Sequence, residues 1–481
     1  MTGKVVEELY SIFGAKSVAI IGASNDMRKW GGRMVQRLLL AKYAGDIYPV
    51  NLKEEKVQGL RAYRSVLDLP DTVELAAIAI PAELVPQALR ECAQKKVKGA
   101  AIITADFAET GSYGRALQDE IVAIARQGGI RIIGPNCQGL WNSANHLNLA
   151  LSSVPDNGAI AILSQSGNFS HIFADYCISR GYGVGKVVSM GNQADLDVAD
   201  YLEFLADDPE TRAVFAYMEG CHDGRKLFRA LRETVRKKPV VAFKSARNPA
   251  VARVAASHTA AIAGQDRIFE AMFKQAGVIR SDDLFSSLSM AVALTQQPSA
   301  KGNRIALMGT GGQGVVLADA CVTMGMEIPQ IADNDIKFIL EGVNFPPQAP
   351  PPRNPVDFAG GGPGSLVEAK ILNRLAQLDY INGIIANQPA LPPAVGSSPT
   401  EQEQAVVQIR EYLTAIPQKY GKPLLFMHLP GFPTDAAIQK MLADAGILTF
   451  PTCEEAVRTM YALVSYGQIK RRDAGNEEAS R

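Results

Sequence analysis

An α/β protein of three doubly wound units is the fold class this sequence predicts. Short, nearly all-apolar runs recur along the whole chain, and longer segments with helical spacing separate them. Continuous apolar runs are the mark of strands buried on both faces, as in parallel sheets covered by crossover helices. Length agrees: 481 residues, 47% of them hydrophobic, exceed one ordinary domain and can bury several cores.

The first series of strands is "SVAIIG" (17–22), "DIYPV" (46–50), "ELAAIAI" (74–80), "GAAIITA" (99–105) and "IRIIG" (130–134). A second follows "SVPDNG" with "AIAILS" (159–164), "GKVVSM" (185–190), "AVFAYM" (213–218) and "PVVAFK" (239–244), and it needs its own sheet. After "QQPSAKGN" (296–303), which reads as a linker, come "RIALMG" (304–309), "GIIANQ" (383–388), "PLLFMH" (423–428) and "ILTF" (447–450). The expected domains are residues 1–150, 151–298 and 299–465, with 466–481 a charged, apolar-poor tail expected to fray. The proline- and glycine-rich stretch 344–365 reads as an extended surface loop, in its plainest form a spacer.

Forty-nine basic residues balance 49 acidic ones, which removes the electrostatic footprint of a general nucleic-acid binder and offers no polybasic membrane patch. The six cysteines are scattered without C-x-x-C pairing, which suits reduced thiols. No apolar run is long enough to span a bilayer and the amino terminus lacks a cleavable apolar core, so a cytoplasmic protein is expected.

The first strand ends in Gly22, Ala23, Ser24 and Asn25, with a helix expected to begin near Gly31. Small residues before a helix amino terminus suit a phosphate-bearing ligand. The G-x-G-x-x-G spacing is absent, and Lys53 rather than an acid follows the second strand, which disfavours a nicotinamide cofactor. The turns holding Pro81 ("IPAE") and Asn136 with Cys137 ("GPNCQG") follow further strands, so all four loops converge on one crevice.

The second unit opens with "ILSQSGNFS" (162–170), where Ser164, Ser166 and Gly167 offer hydroxyls and amides to an oxyanion, although serine is equally a simple helix cap. The first glycine of a G-x-S-x-G elbow is missing, so a serine hydrolase is rejected. In the third unit "MGTGGQGVVLADA" (308–320) places Gly311, Gly312 and Gly314 between strand and helix, without the Lys-Ser or Lys-Thr of a Walker A loop. "AASHTAAIAGQD" (255–266) sets His258 between hydroxyl side chains ahead of a helix: a phosphoryl carrier, a general base or a cap.

Together "IIGPNCQG", "SQSGN", "DDPETRAVFAYMEGCHDGRK", "SHTAAIAGQD" and "NPVD" resemble the ADP-forming acyl-CoA synthetase family, related to succinyl-CoA synthetase, over about residues 10–465. The resemblance implies a Rossmann-like CoA-binding domain followed by two flavodoxin-like domains. It implies that His258 is transiently phosphorylated and paired with Glu219, and that the helix starts at "SQSGN" and "GGQG" stabilise the phosphoryl oxygens. Coenzyme A is implied at "GASN", "VNLK" and "GPNCQG".

All three units being spent on these parts, the chain resembles an alpha subunit. It would need an ATP-grasp beta subunit, two copies of each chain, to bring ATP or ADP with Mg2+ to the carboxylic acid or acyl-CoA. No metal site is assigned to the chain itself. A non-catalytic CoA or acyl-CoA regulator is the alternative, and the survival of both His258 and Glu219 favours the enzyme. Ala260 replaces a glycine common in relatives, Ile262 a leucine and Gln313 a proline, while Phe169 is a candidate for shaping the acyl pocket. His171 reads as a partly buried polar residue or a contact to a substrate carboxylate.

Overall fold

A computed structural model describes residues 2–248, 265–345, 347, 349–359, 363–389, 399–428 and 436–479. The chain forms two compact units, Met1–Ala291 and Val292–Arg481.

In the first unit, helix α1 (Thr2–Phe13) leads into β1 (Ser17–Ile21), buried along its whole length. Val18, Ile20 and Ile21 are almost entirely removed from water, each such side chain contributing about 1.5–3 kcal/mol. Helix α2 (Trp30–Leu40) returns the chain to β2 (Asp46–Val50), and a small hairpin of β3 (Lys56–Val57) and β4 (Leu60–Arg61) follows. β5 (Leu75–Ile78), α3 (Val85–Gln94), β6 (Gly99–Ile102), α4 (Ser112–Gly128) and β7 (Arg131–Ile133) complete a parallel sheet of order β2-β1-β5-β6-β7. The order reverses between β1 and β5, and at such a switch point the loops at the carboxyl ends part to leave a crevice.

The second sheet of this unit has seven strands. β8 (Gly139–Asn142) and β9 (Leu147–Asn148) precede β10 (Ile160–Ser164), α5 (Gly167–Ser179), β11 (Lys186–Ser189), α6 (Val198–Asp207) and β12 (Ala213–Met218). Then come α7 (Gly224–Lys237), β13 (Val240–Lys244), α8 (Asp266–Ala276), β14 (Ile279–Ser281) and α9 (Leu284–Gln296), giving the order β14-β13-β12-β10-β11-β8-β9. β8 is antiparallel to β11. The sequence reading contains no strand between residues 134 and 159, because β8 and β9 are held by distant partners and have no local period. Trp141 donates from Nε1 to the Val184 carbonyl at 3.0 Å, and Asn142 from Nδ2 to the Phe13 carbonyl at 3.0 Å. Arg131 ties the two sheets together, meeting Asp195 at 2.8 Å and Glu8 at 2.7 Å.

The second unit carries β15 (Ile305–Met308), α10 (Gly312–Thr323), α11 (Asp333–Leu340), α12 (Ser365–Leu375), β16 (Gly383–Asn387) and α13 (Pro399–Lys419). β17 (Leu424–Met427), α14 (Ala436–Asp444), β18 (Thr449–Phe450) and α15 (Cys453–Ala479) follow, and the four strands pair in parallel in chain order.

Three segments differ from the sequence reading. The stretch read as a linker is packed: Gln297, 6% exposed, accepts from Leu424 N at 3.0 Å and donates to the Gly446 carbonyl. Part of the presumed spacer is built into the fold. Asn354, 5% exposed, bonds Leu307 N at 2.8 Å and the Ile305 and Pro329 carbonyls, and Val356 forms a parallel bridge to Met308. Its side-chain amide takes over hydrogen bonds that prolines deny to regular structure. Finally, the tail expected to fray from residue 466 is helical as far as Ala479, because Lys, Arg, Ala, Glu and Gln are strong helix formers that extend a helix already anchored by buried residues such as Met460 and Leu463.

Candidate functional site

The crevice of the first sheet is shaped by backbone contact. Gly22 has φ +90°, and a Cβ there would lie 2.4 Å from the Ala79 carbonyl oxygen; one on Gly31 would lie 1.9 Å from the Gly22 oxygen. Only bare glycines let the turn, the helix start and the next strand approach so closely. The amides of Gly22 and Ala23 both donate to the Val50 carbonyl, at 3.1 and 3.2 Å. Ser24 accepts from Asp26 N at 3.0 Å. Asn25 is spent on the β3–β4 hairpin, donating to the Lys56 carbonyl and accepting from Gln58 N at 2.8 Å. No side chain caps α2, so its first amides and positive dipole end are available to an anion.

Lys53 is exposed beside this turn, its own amide bonded to Asn51 Oδ1 at 2.7 Å. Asn51, which the sequence reading did not single out, also donates to the Ala23 carbonyl at 2.7 Å and so links the two loops. Pro81 is exposed at the start of the short 3-10 turn Ala82–Leu84. Cys137 is 3% exposed and points beneath the turn, donating to the Ile102 carbonyl at 3.3 Å. Burial pushes its thiol up to about 12, so it stays protonated and leaves only its backbone for a ligand. Asn136, at φ +56°, faces Asn192 across 3.4 Å. Gln138 then joins this turn to the second sheet, donating from Nε2 to Asn168 Oδ1 at 3.2 Å.

At the carboxyl ends of β10, β12 and β13 the structure brings the "SQSG" turn and Glu219 together. Ser164 is fully buried and its hydroxyl donates to the Ser166 carbonyl at 2.7 Å. Ser166 caps α5, its hydroxyl accepting from Phe169 N at 3.5 Å, which leaves the amides of Gly167 and Asn168, between the two, without a side-chain cap. Gln165, another residue not singled out from sequence, is the link. Its Oε1 accepts from the amides of Glu219 and Gly220, and its Nε2 donates to the Gly220 carbonyl at 2.8 Å. The signal was its place inside "SQSG", one residue past a buried strand. Tyr217 lies near the Glu219 carboxylate, whose charge adds to burial in raising the Tyr217 pKa, and Lys244, buried at the end of β13, has its ammonium 5.0 Å from the Phe269 ring centroid. Burial lowers the Lys244 pKa, and the nearby Asp266 and Glu219 carboxylates oppose that fall. His258 lies outside the described residues; α8 begins just after it, at Asp266.

In the second unit, Gly311 (φ +56°) and Gly312 are exposed at the start of α10, which no side chain caps, and Gly314 is buried in its first turn. Asp357, from "NPVD", accepts from Gly311 N at 3.1 Å and from Ala359 N at 2.9 Å, orienting the turn. Gln313 accepts from Asn387 Nδ2 at 2.7 Å. Among the described residues no group of three His, Cys, Asp or Glu could hold a metal ion, and no helix is long and apolar enough to cross a membrane.

Two family models match these sheets: a CoA binding domain over residues 16–142 and a succinyl-CoA ligase like flavodoxin domain over 157–294. The acetate–CoA ligase (ADP-forming) II subunit alpha of Pyrococcus furiosus is 38% identical over 94% of this chain and 96% of its own length. The chain belongs to the ADP-forming acyl-CoA synthetase family, as an alpha subunit. The acetate–CoA ligase (ADP-forming) I of Archaeoglobus fulgidus is 34% identical to this alpha subunit over 97% of its length, but over only 65% of the Archaeoglobus chain. A solved structure of dinucleotide forming acetyl-coenzyme A synthetase 1 from Ca. Korarchaeum cryptofilum, in complex with phosphate and ADP, superposes with a TM-score of 0.84 at 28% identity, covering 96% of this chain and 97% of that one. The alpha subunit is thus an enzyme component, and the regulatory alternative has no support among these relatives. Its first sheet is a CoA-binding domain.

Proposed function

We propose that this alpha subunit interconverts an acyl-CoA, ADP and phosphate with a carboxylic acid, CoA and ATP through two covalent phosphates. Phosphate oxygen attacks the thioester carbonyl, the C–S bond breaks and acyl phosphate and CoA thiol result. A ring nitrogen of His258 then attacks phosphorus, the P–O bond to the acyl group breaks and the carboxylate leaves. Attack by an ADP oxygen returns the histidine and forms ATP.

The observation that carries this reading is the Gln165 clamp, which locks the backbone of Glu219 to the turn whose Gly167 and Asn168 amides follow the Ser166 cap. Amides at a helix start stabilise the oxygens in transfer, and a carboxylate on one imidazole nitrogen fixes the tautomer that leaves the other free to attack. Gly311, Gly312 and Gly314 are assigned the same anion-binding role on α10. Coenzyme A is assigned to the crevice of Gly22–Asn25, Lys53, Pro81, Asn136 and Cys137, with backbone groups rather than the buried thiol meeting it. The nucleotide and Mg2+ are assigned to an ATP-grasp beta subunit, in an assembly of two copies of each chain. The third of the Archaeoglobus chain that this one does not span is consistent with a separate partner.

Incubation with the beta chain and γ-labelled ATP tests it. The label is expected on His258, acid-labile and alkali-stable; His258→Asn abolishes it, and Glu219→Gln slows turnover roughly a hundredfold with CoA binding unchanged. Wild-type labelling of His258→Asn would overturn the assignment.

A further inference from the structure

The carboxyl ends of β10, β12 and β13 also carry a row of aromatic rings that the phosphate chemistry leaves without a task. Phe169 stacks on Phe173 at 5.4 Å and meets Tyr217 at 5.0 Å, and Tyr217 stacks on Phe243 at 5.9 Å. Phe173 and Tyr217 are buried, whereas Phe169 and Phe243 are partly exposed. Two rings therefore reach the surface on either side of a buried one.

Their position relates them to the reacting group. Phe169 is the third residue of α5, directly after the Gly167 and Asn168 amides, and Tyr217 stands in β12 two residues before Glu219. A carboxyl group phosphorylated at those amides has Phe169 as the first bulky apolar side chain along the helix. The guanidinium of Arg247 lies 5.7 Å from the Phe243 ring and is ion-paired with Asp282, so it does not present a free positive charge to a second carboxylate.

We propose that this row is the subsite for the acyl group, that the favoured acid is a monocarboxylic acid bearing an aryl ring or a similarly broad apolar group, and that Phe169 determines this preference. The proposal rests on the acyl-phosphate reading above. A ring or broad branched group covers the exposed faces of Phe169 and Phe243, and aromatic pairs add to the gain from area alone. A single methyl leaves those faces wet. A dicarboxylate brings a second charge against the negative ring faces, where the Arg247 charge is already paired with Asp282.

The test uses the complex of this chain with its beta subunit and measures kcat/KM for phenylacetate, acetate and succinate. Wild type is expected to favour phenylacetate over acetate by about tenfold or more, with succinate poorest. Phe169→Ala should lower kcat/KM for phenylacetate about tenfold while leaving acetate within about threefold, and Phe169→Leu should fall between. Labelling from ATP needs no acid and reports whether each variant is folded and competent; if Phe169→Ala fails to label, Phe169→Leu decides. A wild-type preference for acetate or succinate, or an equal loss for all three acids in a variant that still labels, overturns the proposal. Loss of labelling in wild type with the aryl preference intact would overturn the phosphohistidine step and leave the subsite supported.

Discussion

His171, on the first turns of α5, shows how one side chain couples the fold to pH. Its Nε2 is buried and has no hydrogen-bond partner among the described residues, and burial, assisted by the Arg37 charge, holds the imidazole down at about 4 from an ordinary 6.5. It is therefore neutral in the native state near pH 7. Below pH 6.5 the unfolded chain takes up a proton that the folded chain refuses, so the stability present above 6.5 is lost as pH falls towards 4. The loss should be on the order of 3 kcal/mol. Urea unfolding of wild type and His171→Leu across that range checks this: the wild-type curve should fall more steeply, and parallel curves would remove the linkage. At the same scale, Gln165 closes three hydrogen bonds with one amide group, and each backbone group orphaned by its loss would cost about 1–3 kcal/mol.

Three helices, α2, α5 and α10, begin on small-residue turns, and their caps separate them. α5 is capped by its own Ser166, whereas α2 and α10 have no side-chain cap. Of the two readings of Ser166, cap and anion binder, the structure shows the cap: its hydroxyl accepts from Phe169 N, and the Gly167 and Asn168 amides that follow it carry no side-chain cap. For α2 the close approach of Gly31 to Gly22 is the controlling contact. Gly31→Ala places a methyl against the Gly22 carbonyl and must push strand and helix apart, at a cost of about 1–3 kcal/mol. CoA affinity, measured by calorimetry, should fall at least about tenfold, while His258 labelling by the beta chain persists because the second sheet is untouched. Unchanged CoA binding would place the cofactor elsewhere.

For the whole molecule, the decisive matter is where the nucleotide binds. No Walker A sequence occurs in the 481 residues, and Lys53 stands where a dinucleotide enzyme places an acid for the ribose. The isolated chain is expected to bind CoA but neither NAD nor ATP with useful affinity. ATP synthesis from acyl-CoA, ADP and phosphate should appear only when the beta chain is added, with both chains eluting as one species in size-exclusion chromatography. ATP synthesis by the purified single chain, or micromolar NAD binding to it, would refute this.

By itself the sequence determined the parallel strands of the three sheets, except β14 at the edge of the second, and the small-residue turns at their carboxyl ends. Doubly buried strands must be apolar throughout, and close backbone approach demands glycine, so both leave local marks. Tertiary structure alone decided the rest. β8 and β9 exist because Trp141 and Asn142 bond residues far along the chain, and "NPVD" lies beside β15 because Asn354 answers backbone groups from two other segments. The inward aim of the Cys137 thiol and the clamp of Gln165 on Glu219 likewise depend on partners brought from other strands. Hydrogen bonds between distant segments have no period in the sequence, since which donor meets which acceptor is settled only when the sheets close.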